Sequence, residues 1–205
     1  MVEVVTPRLE IRGLGKAFGG TLALSGVDLA IGPGEVHALL GENGAGKSTL
    51  TKIVSGVLRA DAGTLALDGQ PFSPRSPAEA RRAGVAIVHQ EPAVCPHLSV
   101  AENVMLGREP ARFGWVDRPR LRDEARRALE WVAPEFSPDA AMSELGPADV
   151  QLVTLARALA HANCRLLILD EPTSSLAAPE VERLFAVVRR LAESGVAVLY
   201  ISHFL

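Results

Sequence analysis

Several things are missing from this 205-residue sequence. No apolar run approaches the length a helix needs to cross a bilayer. The amino end lacks the basic-then-apolar pattern of a signal peptide. Any membrane role is therefore expected at the periphery. Cysteine is scarce: Cys95 and Cys164 stand far apart with no CxxC spacing, which predicts buried free thiols in a reducing cytoplasm. There is no excess of positive charge. The formal net charge is −3, so global electrostatics point to no nucleic-acid-binding surface. Internal repeats and low-complexity tracts are absent as well.

What remains is the composition of a soluble globular chain, 48% hydrophobic and 22% charged, long enough for one domain or a domain with a small subdomain. The first third reads as strands. LEIRG, TLALSGVDLAI and EVHALL carry alternating or continuous apolar residues separated by glycine turns. TLALDGQPF contains Asp68–Gly69, a pair suited to a tight hairpin turn. From residue 77 onward the helical pattern PAEARRAG alternates with short apolar strands, VAIVH, RLLILD and VAVLYI, as expected of a mostly parallel, helix-covered sheet. Between about 91 and 146 the pattern changes. SVAENVMLG and DRPRLRDEARRALEWVA read as helices and APEFSPDAAMSELGP as a proline-rich connector, so a helical insertion is expected in an α/β core.

The strongest chemical signal is GENGAGKST, residues 41–49, directly after the apolar run VHALL. It matches G-x-x-x-x-G-K-[ST], the phosphate-binding loop. Gly41, Gly44 and Gly46 let the backbone fold into a nest of N–H groups aimed at phosphate oxygens. Lys47 supplies charge to the β- and γ-phosphates, Ser48 a hydroxyl to Mg²⁺, and the helix that begins there its positive dipole end. At ordinary residue frequencies about one random chain in a hundred of this length matches by chance, and the strand before and helix after narrow that further.

RLLILDEP, residues 165–172, is an apolar strand ending in two acids. Asp170 fits the carboxylate that holds Mg²⁺, usually through water. Glu171 beside it is placed to orient or deprotonate an attacking water. In isolation, solvated acids at a strand end would read equally well; the phosphate loop upstream tips the balance. Gln90 follows the strand VAIVH and opens the helical insertion. It reads either as a polar turn residue or as an amide that touches Mg²⁺ or the attacking water. His203 follows VAVLYIS and reads either as a strand-end histidine or as a donor to a γ-phosphate. His37, His89, His97 and His161 show no ligand spacing.

GENGAGKST, VHQEP, LGPADVQLVTLARAL, LLILDEPTSS and YISH, in that order, resemble an ABC-type ATPase domain over essentially the whole chain. LSVAENVMLGREP and KAFGGTLALSGVDL look more specifically like the sugar-importer branch, whose ATPase proteins power uptake of monosaccharides such as ribose, xylose or galactose. The resemblance implies an α/β fold: a P-loop NTPase core of the ABC ATPase type with an antiparallel β subdomain and an inserted helical subdomain. Residues 1–90 and 147–205 would form the β subdomain and core, and 91–146 the helical subdomain. It implies two such domains packed head to tail around two ATP molecules, the second ABC ATPase domain of the pair lying in the same full-length chain. Closure would drive transmembrane permease subunits, supplied indirectly by a sugar-binding protein, at the inner face of the cell membrane, with no nucleic acid involved.

Carried over by position, Phe18 would stack on adenine, although it could equally be a core phenylalanine. Gly41, Asn43, Gly44, Ala45, Gly46, Lys47, Ser48 and Thr49 would hold the nucleotide. Ser48, Gln90 and Asp170 would hold Mg²⁺, Glu171 would act as general base, and His203 would contact the γ-phosphate. The helical insertion would hold the groove for a coupling helix of the membrane partner.

Three departures stand out. The family's signature, L-S-G-G-Q or L-S-V-G-Q, aligns with Leu145, Gly146, Pro147, Ala148 and Asp149, without the serine hydroxyl and the second glycine. The aspartate usually found a few residues after the general base aligns with Ala177. The sequence stops shortly after His203, so the fold is expected to be truncated after the H-loop strand, leaving VAVLYIS with apolar surface uncovered.

Within SELGPADVQLVTLARAL, Ala148, Leu152, Leu155, Ala156 and Leu159 mark one helix face, with Gly146 as N-cap and Pro147 as first helical residue. Pro147 removes an N–H donor and Asp149 adds negative charge where an anion would sit. Three functions follow as expectations: the ATPase of a carbohydrate importer, an ATP-binding half-site with weak hydrolysis, or a non-transport relative acting in DNA repair or translation.

Overall fold

The computed structural model describes residues 6–42, 44–90, 93–160, 164–174 and 176–203. They group into two compact units, Met1–Ile87 with Cys164–Glu171 and Val188–Leu205, and Val88–Asn163 with Pro172–Val187.

The first unit holds two sheets. In one, β1 (Leu9–Phe18) pairs antiparallel with β2 (Thr21–Ile31) on one side and β4 (Ala62–Leu67) on the other, and β5 (Gln70–Pro71) extends the row. The Asp68–Gly69 hairpin forms as the sequence predicts: Leu67 faces Gln70, and the two turn residues have φ of 51° and 73°. The Asp68 carboxylate is also bound by Arg8 and, at 2.9 Å, by Arg165, which fastens this turn to the chain entering the second sheet.

The second sheet has the order β3 (Val36–Leu40), β10 (Ala197–Ser202), β9 (Leu166–Asp170), β6 (Val85–Val88), and β10 pairs parallel with both β3 and β9. Continuous apolar runs such as Leu166–Leu169 are buried, as strands covered on both faces require. The expectation that VAVLYIS lies uncovered does not hold. Strand β10 is hydrogen-bonded along both edges, and Ala197, Val198, Leu199 and Ile201 are buried; the exposed apolar side chains, Val36 and Leu40, lie on the neighbouring β3. Helices α1 (Lys47–Val54) and α2 (Pro77–Arg82) also belong to this unit, and Ile53, Ala80, Leu9, Ile31, Ile168 and Leu199 share one hydrophobic core.

The second unit is mainly helical. Its elements are α3 (Val100–Val104), a hairpin of β7 (Ala111–Arg112) and β8 (Trp115–Val116), α4 (Arg118–Val132), a 3₁₀ turn at Met142–Glu144 and α5 (Pro147–Leu159); α6 (Ala178–Glu193) begins in it and ends in the first. Helix α3 starts with a complete capping box, Ser99 accepting from the Glu102 N–H while Glu102 accepts from the Ser99 N–H. Residues 147–160 group with the inserted helices rather than with the core, because α5 packs on α3 and α4. The same packing changes the expected burial of α5. Leu152, Leu155 and Ala156 are buried as anticipated, but Ala148 and Leu159 are only half-buried, and Gln151 and Val153, off the expected stripe, are buried too.

Among the described residues no helix is long and apolar enough to cross a membrane. Both cysteines are free and half-buried rather than buried, and burial still pushes the Cys164 thiol up to about 12.

Candidate functional site

In the parallel sheet, the carboxyl ends of three strands face one edge. Ser202 lies beside Leu40, and Ile201 lies between Leu39 and Asp170. The residues that follow these strand ends are the phosphate loop, Glu171 and His203. A crevice at the carboxyl ends of parallel strands is where ligands bind in folds of this class.

The loop's conformation depends on its glycines. Gly44 and Gly46 have φ of 87° and 92°, a region L side chains avoid. Gly46 is doubly constrained, since a Cβ there would sit 2.5 Å from the Ala23 carbonyl oxygen and 2.7 Å from Leu24 Cδ2. Gly46 also caps α1, whose start has no side-chain cap and no acid in its first turn. The first turn of α1 therefore carries no acid to compete for the positive helix end that Lys47, Ser48 and Thr49 begin. Lys47 Nζ is folded over the loop and donates to the carbonyls of Gly41 and, at 3.0 Å, Glu42. Ala45 closes the turn from within, its N–H donating to the Glu42 carbonyl at 3.2 Å. Asn43 lies outside the described residues. Phe18, at the end of β1, is 47% exposed, with Lys16 Nζ 5.5 Å from the ring centre; the core alternative for this ring does not hold.

Asp170 ends β9. Glu171 leaves the strand with φ of 48°, a left-handed conformation that costs a non-glycine residue about 1–2 kcal/mol. Two contacts with β10 and the residue after it hold Glu171 there. Its N–H donates to the Ile201 carbonyl at 3.0 Å, and its Oε1 lies 2.9 Å from His203 Nδ1. Strain of this kind persists where surroundings over-determine a conformation, as functional sites do. The candidate base and the candidate γ-phosphate contact are thus direct partners.

The remaining candidates lie in the second unit. Gln90 is exposed, just past β6. The altered signature starts α5 as expected: Gly146 is an extended N-cap without a side-chain bond, Pro147 is the first helical residue and Asp149 lies in the first turn. Leu145 is half-buried before it. Asp149 does not stand as a bare charge, because Arg183 donates to its Oδ1 at 2.8 Å, also pairs with Glu135, and stacks over Phe136. At the position of the missing family aspartate, the Ala177 N–H donates to Glu180 at 2.8 Å, an N-terminal cap for α6.

Sequence reasoning did not find Arg183, nor the pair Asn103 and Arg157. Asn103 has 0% exposure; its amide accepts from the Cys95 N–H and donates to the Cys95 and Ser99 carbonyls. Arg157 on α5 donates to the Asn103 carbonyl at 2.7 Å and the Ala93 carbonyl at 2.6 Å, and burial lowers its pKa from the ordinary value. Together they tie residues 93–103 to α5. The available signal was a polar residue at an apolar-face spacing in VAENVM.

The ABC transporter family model matches residues 24–174. Among curated proteins, the ribose import ATP-binding protein RbsA 1 of Rubrobacter xylanophilus is 52% identical over 199 residues, covering 97% of this chain and 40% of that protein. The ribose import ATP-binding protein RbsA of Chromobacterium violaceum is 50% identical over 197 residues, covering 96% and 39%. The chain thus spans about 40% of the length of these relatives. Among solved structures, the ADP conformation of an ATP-binding cassette of an ABC transporter is similar with a TM-score of 0.86 and 27% identity, covering 97% of this chain and 82% of that one. CbiO1 from Clostridium perfringens, part of an ABC transporter complex, is similar with a TM-score of 0.82 and 27% identity, covering 97% and 79%. The glycine-built loop and acidic strand end occur in a chain so matched over most of its length that it belongs to the ABC transporter family, as an ATP-binding cassette.

Proposed function

We propose that this chain is the ATP-hydrolysing part of a carbohydrate importer, with a monosaccharide as cargo. The observation that carries the chemistry is the Glu171–His203 pair at the strand edge that also bears the phosphate loop. The ribose import relatives support the cargo class.

In this reading the loop amides and Lys47 hold the ATP phosphates, and Phe18 stacks on the base. The donor set suits Mg²⁺: Ser48 and Asp170 offer hard oxygens, few enough that phosphates and water complete the shell. By resemblance, Gln90 would supply a further metal contact. Mg²⁺, when bound, neutralises charge on the phosphate oxygens. A water oxygen bonds to the γ-phosphorus as the bond to the β–γ bridging oxygen breaks; ADP leaves and the water proton passes to the Glu171 carboxylate. The Glu171 carboxylate would orient the His203 ring through Nδ1.

The start of α5 favours one refinement. In a head-to-tail pair it would serve the partner's nucleotide, and it offers one N–H fewer and an acid already paired with Arg183. The site built on Lys47 and Glu171 is then the working one, and the site completed by Gly146–Asp149 turns over weakly. The cassette would act at the inner membrane face, beneath permease subunits fed by a sugar-binding protein.

The test is affinity capture and reconstitution of the full-length protein. Capture of a polytopic membrane partner and ATP-dependent monosaccharide uptake are expected. Capture of nucleic acid or ribosomes instead would overturn the transport reading.

A further inference from the structure

The hairpin of β7 and β8 carries a feature that neither folding nor ATP chemistry explains. Phe113 occupies the first turn position with φ of 54°, followed by Gly114 at 84°. Asparagine, aspartate or glycine meets that demand at little cost, whereas a bulky residue at positive φ is an outlier. The ring gains no burial in return: Phe113 is 90% exposed and Trp115 82% exposed. The Arg112 guanidinium lies over the Phe113 ring, 5.4 Å from its centre. Val116 is exposed beside them.

The charge around this tip runs against that of the chain. Residues 106–127 hold seven arginines and four acids, a net +3 within a chain of −3. Arg120 and Arg122 have acidic partners in Glu124 and Asp139. Arg112 forms no ion pair among the described residues, whereas Arg118 acts electrostatically on Glu102.

Exposed Phe and Trp flanked by unpaired arginine is the chemistry of an anionic membrane interface, where aromatic rings settle at headgroup depth and guanidinium groups meet phosphate. A specific protein interface needs about 1,000 Å² of matched surface, which a four-residue tip does not offer; insertion into headgroups needs no matched surface. We propose that the β7–β8 hairpin is a lipid-contacting element that docks on an anionic bilayer surface. This goes beyond the transport reading and does not depend on it.

The sequence has two tryptophans, so Trp131→Phe leaves Trp115 as the only reporter. Its emission is followed as vesicles of phosphatidylcholine, with or without phosphatidylglycerol, are added to the chain. A blue shift and co-sedimentation are expected only with phosphatidylglycerol, both lost on adding salt. Arg112→Ala is expected to weaken association about fivefold, and Phe113→Ser with Trp115→Ser to abolish it in the otherwise native chain. Unchanged Trp115 emission overturns the proposal, as does equal sedimentation of the double variant. A shift produced only by detergent-solubilised membrane protein, and not by vesicles, overturns it in favour of a protein partner. Fluorescent-nucleotide binding by the double variant is read alongside. It is expected to be unchanged, so failure of the lipid contact and failure of the ATP reading are told apart.

Discussion

Helices α1 and α5 begin with the same device, a glycine cap, and put it to opposite uses. Gly46 caps α1 at φ of 92° with no side-chain bond and no first-turn acid, and Lys47 follows directly. Gly146 caps α5 at φ of −72°, but proline follows and Asp149 occupies the first turn, where Arg183 neutralises it. One helix start keeps its donors and positive end for an anion; the other has lost a donor and satisfied its charge internally. An N-terminus becomes an anion site only when nothing in the chain has already taken it.

The largest way to break this contrast is Gly46→Ala. It combines a disallowed φ with a backbone overlap, and ATP affinity measured with a fluorescent analogue is expected to fall at least a hundredfold, about 2.7 kcal/mol. Gly44→Ala sharpens the comparison, since nothing lies within 4 Å of its Cβ position. There only the conformational term remains, about 1–2 kcal/mol. Equal losses in the two variants would show that the overlap at Gly46 does not matter.

At α5, Arg183→Ala removes the partner of both Asp149 and Glu135, whose side chains are partly exposed. Screening limits the expected destabilisation to about 1 kcal/mol or less, seen as a drop of a few degrees in Tm. An unchanged melt would mean the acid at the α5 start needs no partner.

The smallest effect is expected at a third helix start, the capping box of α3. Hydrogen bonds from the Ser99 N–H and then the Ser99 hydroxyl hold the Glu102 carboxyl below its usual range. A lowered folded-state pKa contributes stability that is present above the unfolded value, roughly 4.3, and is lost as pH falls through the folded one. Urea melts from neutral to acid pH are expected to show a smaller decline in Glu102→Gln than in the parent. An identical decline would leave the acid response to other groups.

Much of this was legible in the sequence because it is local. The phosphate loop, the Asp68–Gly69 turn and the Gly146–Pro147 helix start are each written in a few adjacent residues whose backbone demands are fixed by their own chemistry. The β7–β8 hairpin was not, because strands of two residues are too short to show alternation. Arg183 acts on Asp149 from 34 residues away, and no spacing rule on either helix announces it. The buried faces of Gln151 and Val153 depend on which helices pack around α5, a tertiary fact that one amphipathic stripe does not encode. Glu171 could be named from the strand end, but its left-handed φ and its grip on His203 depend on β10 lying alongside.

The proposed unequal duty of two nucleotide sites is tested most directly by Glu171→Gln in the full-length protein, measured as steady-state ATP hydrolysis with nucleotide binding as control. Removing a general base lowers its step about 10²–10⁴-fold, so loss of nearly all activity with binding intact is expected. Retention of most of the activity would mean that the other site carries the turnover, and would contradict the assignment.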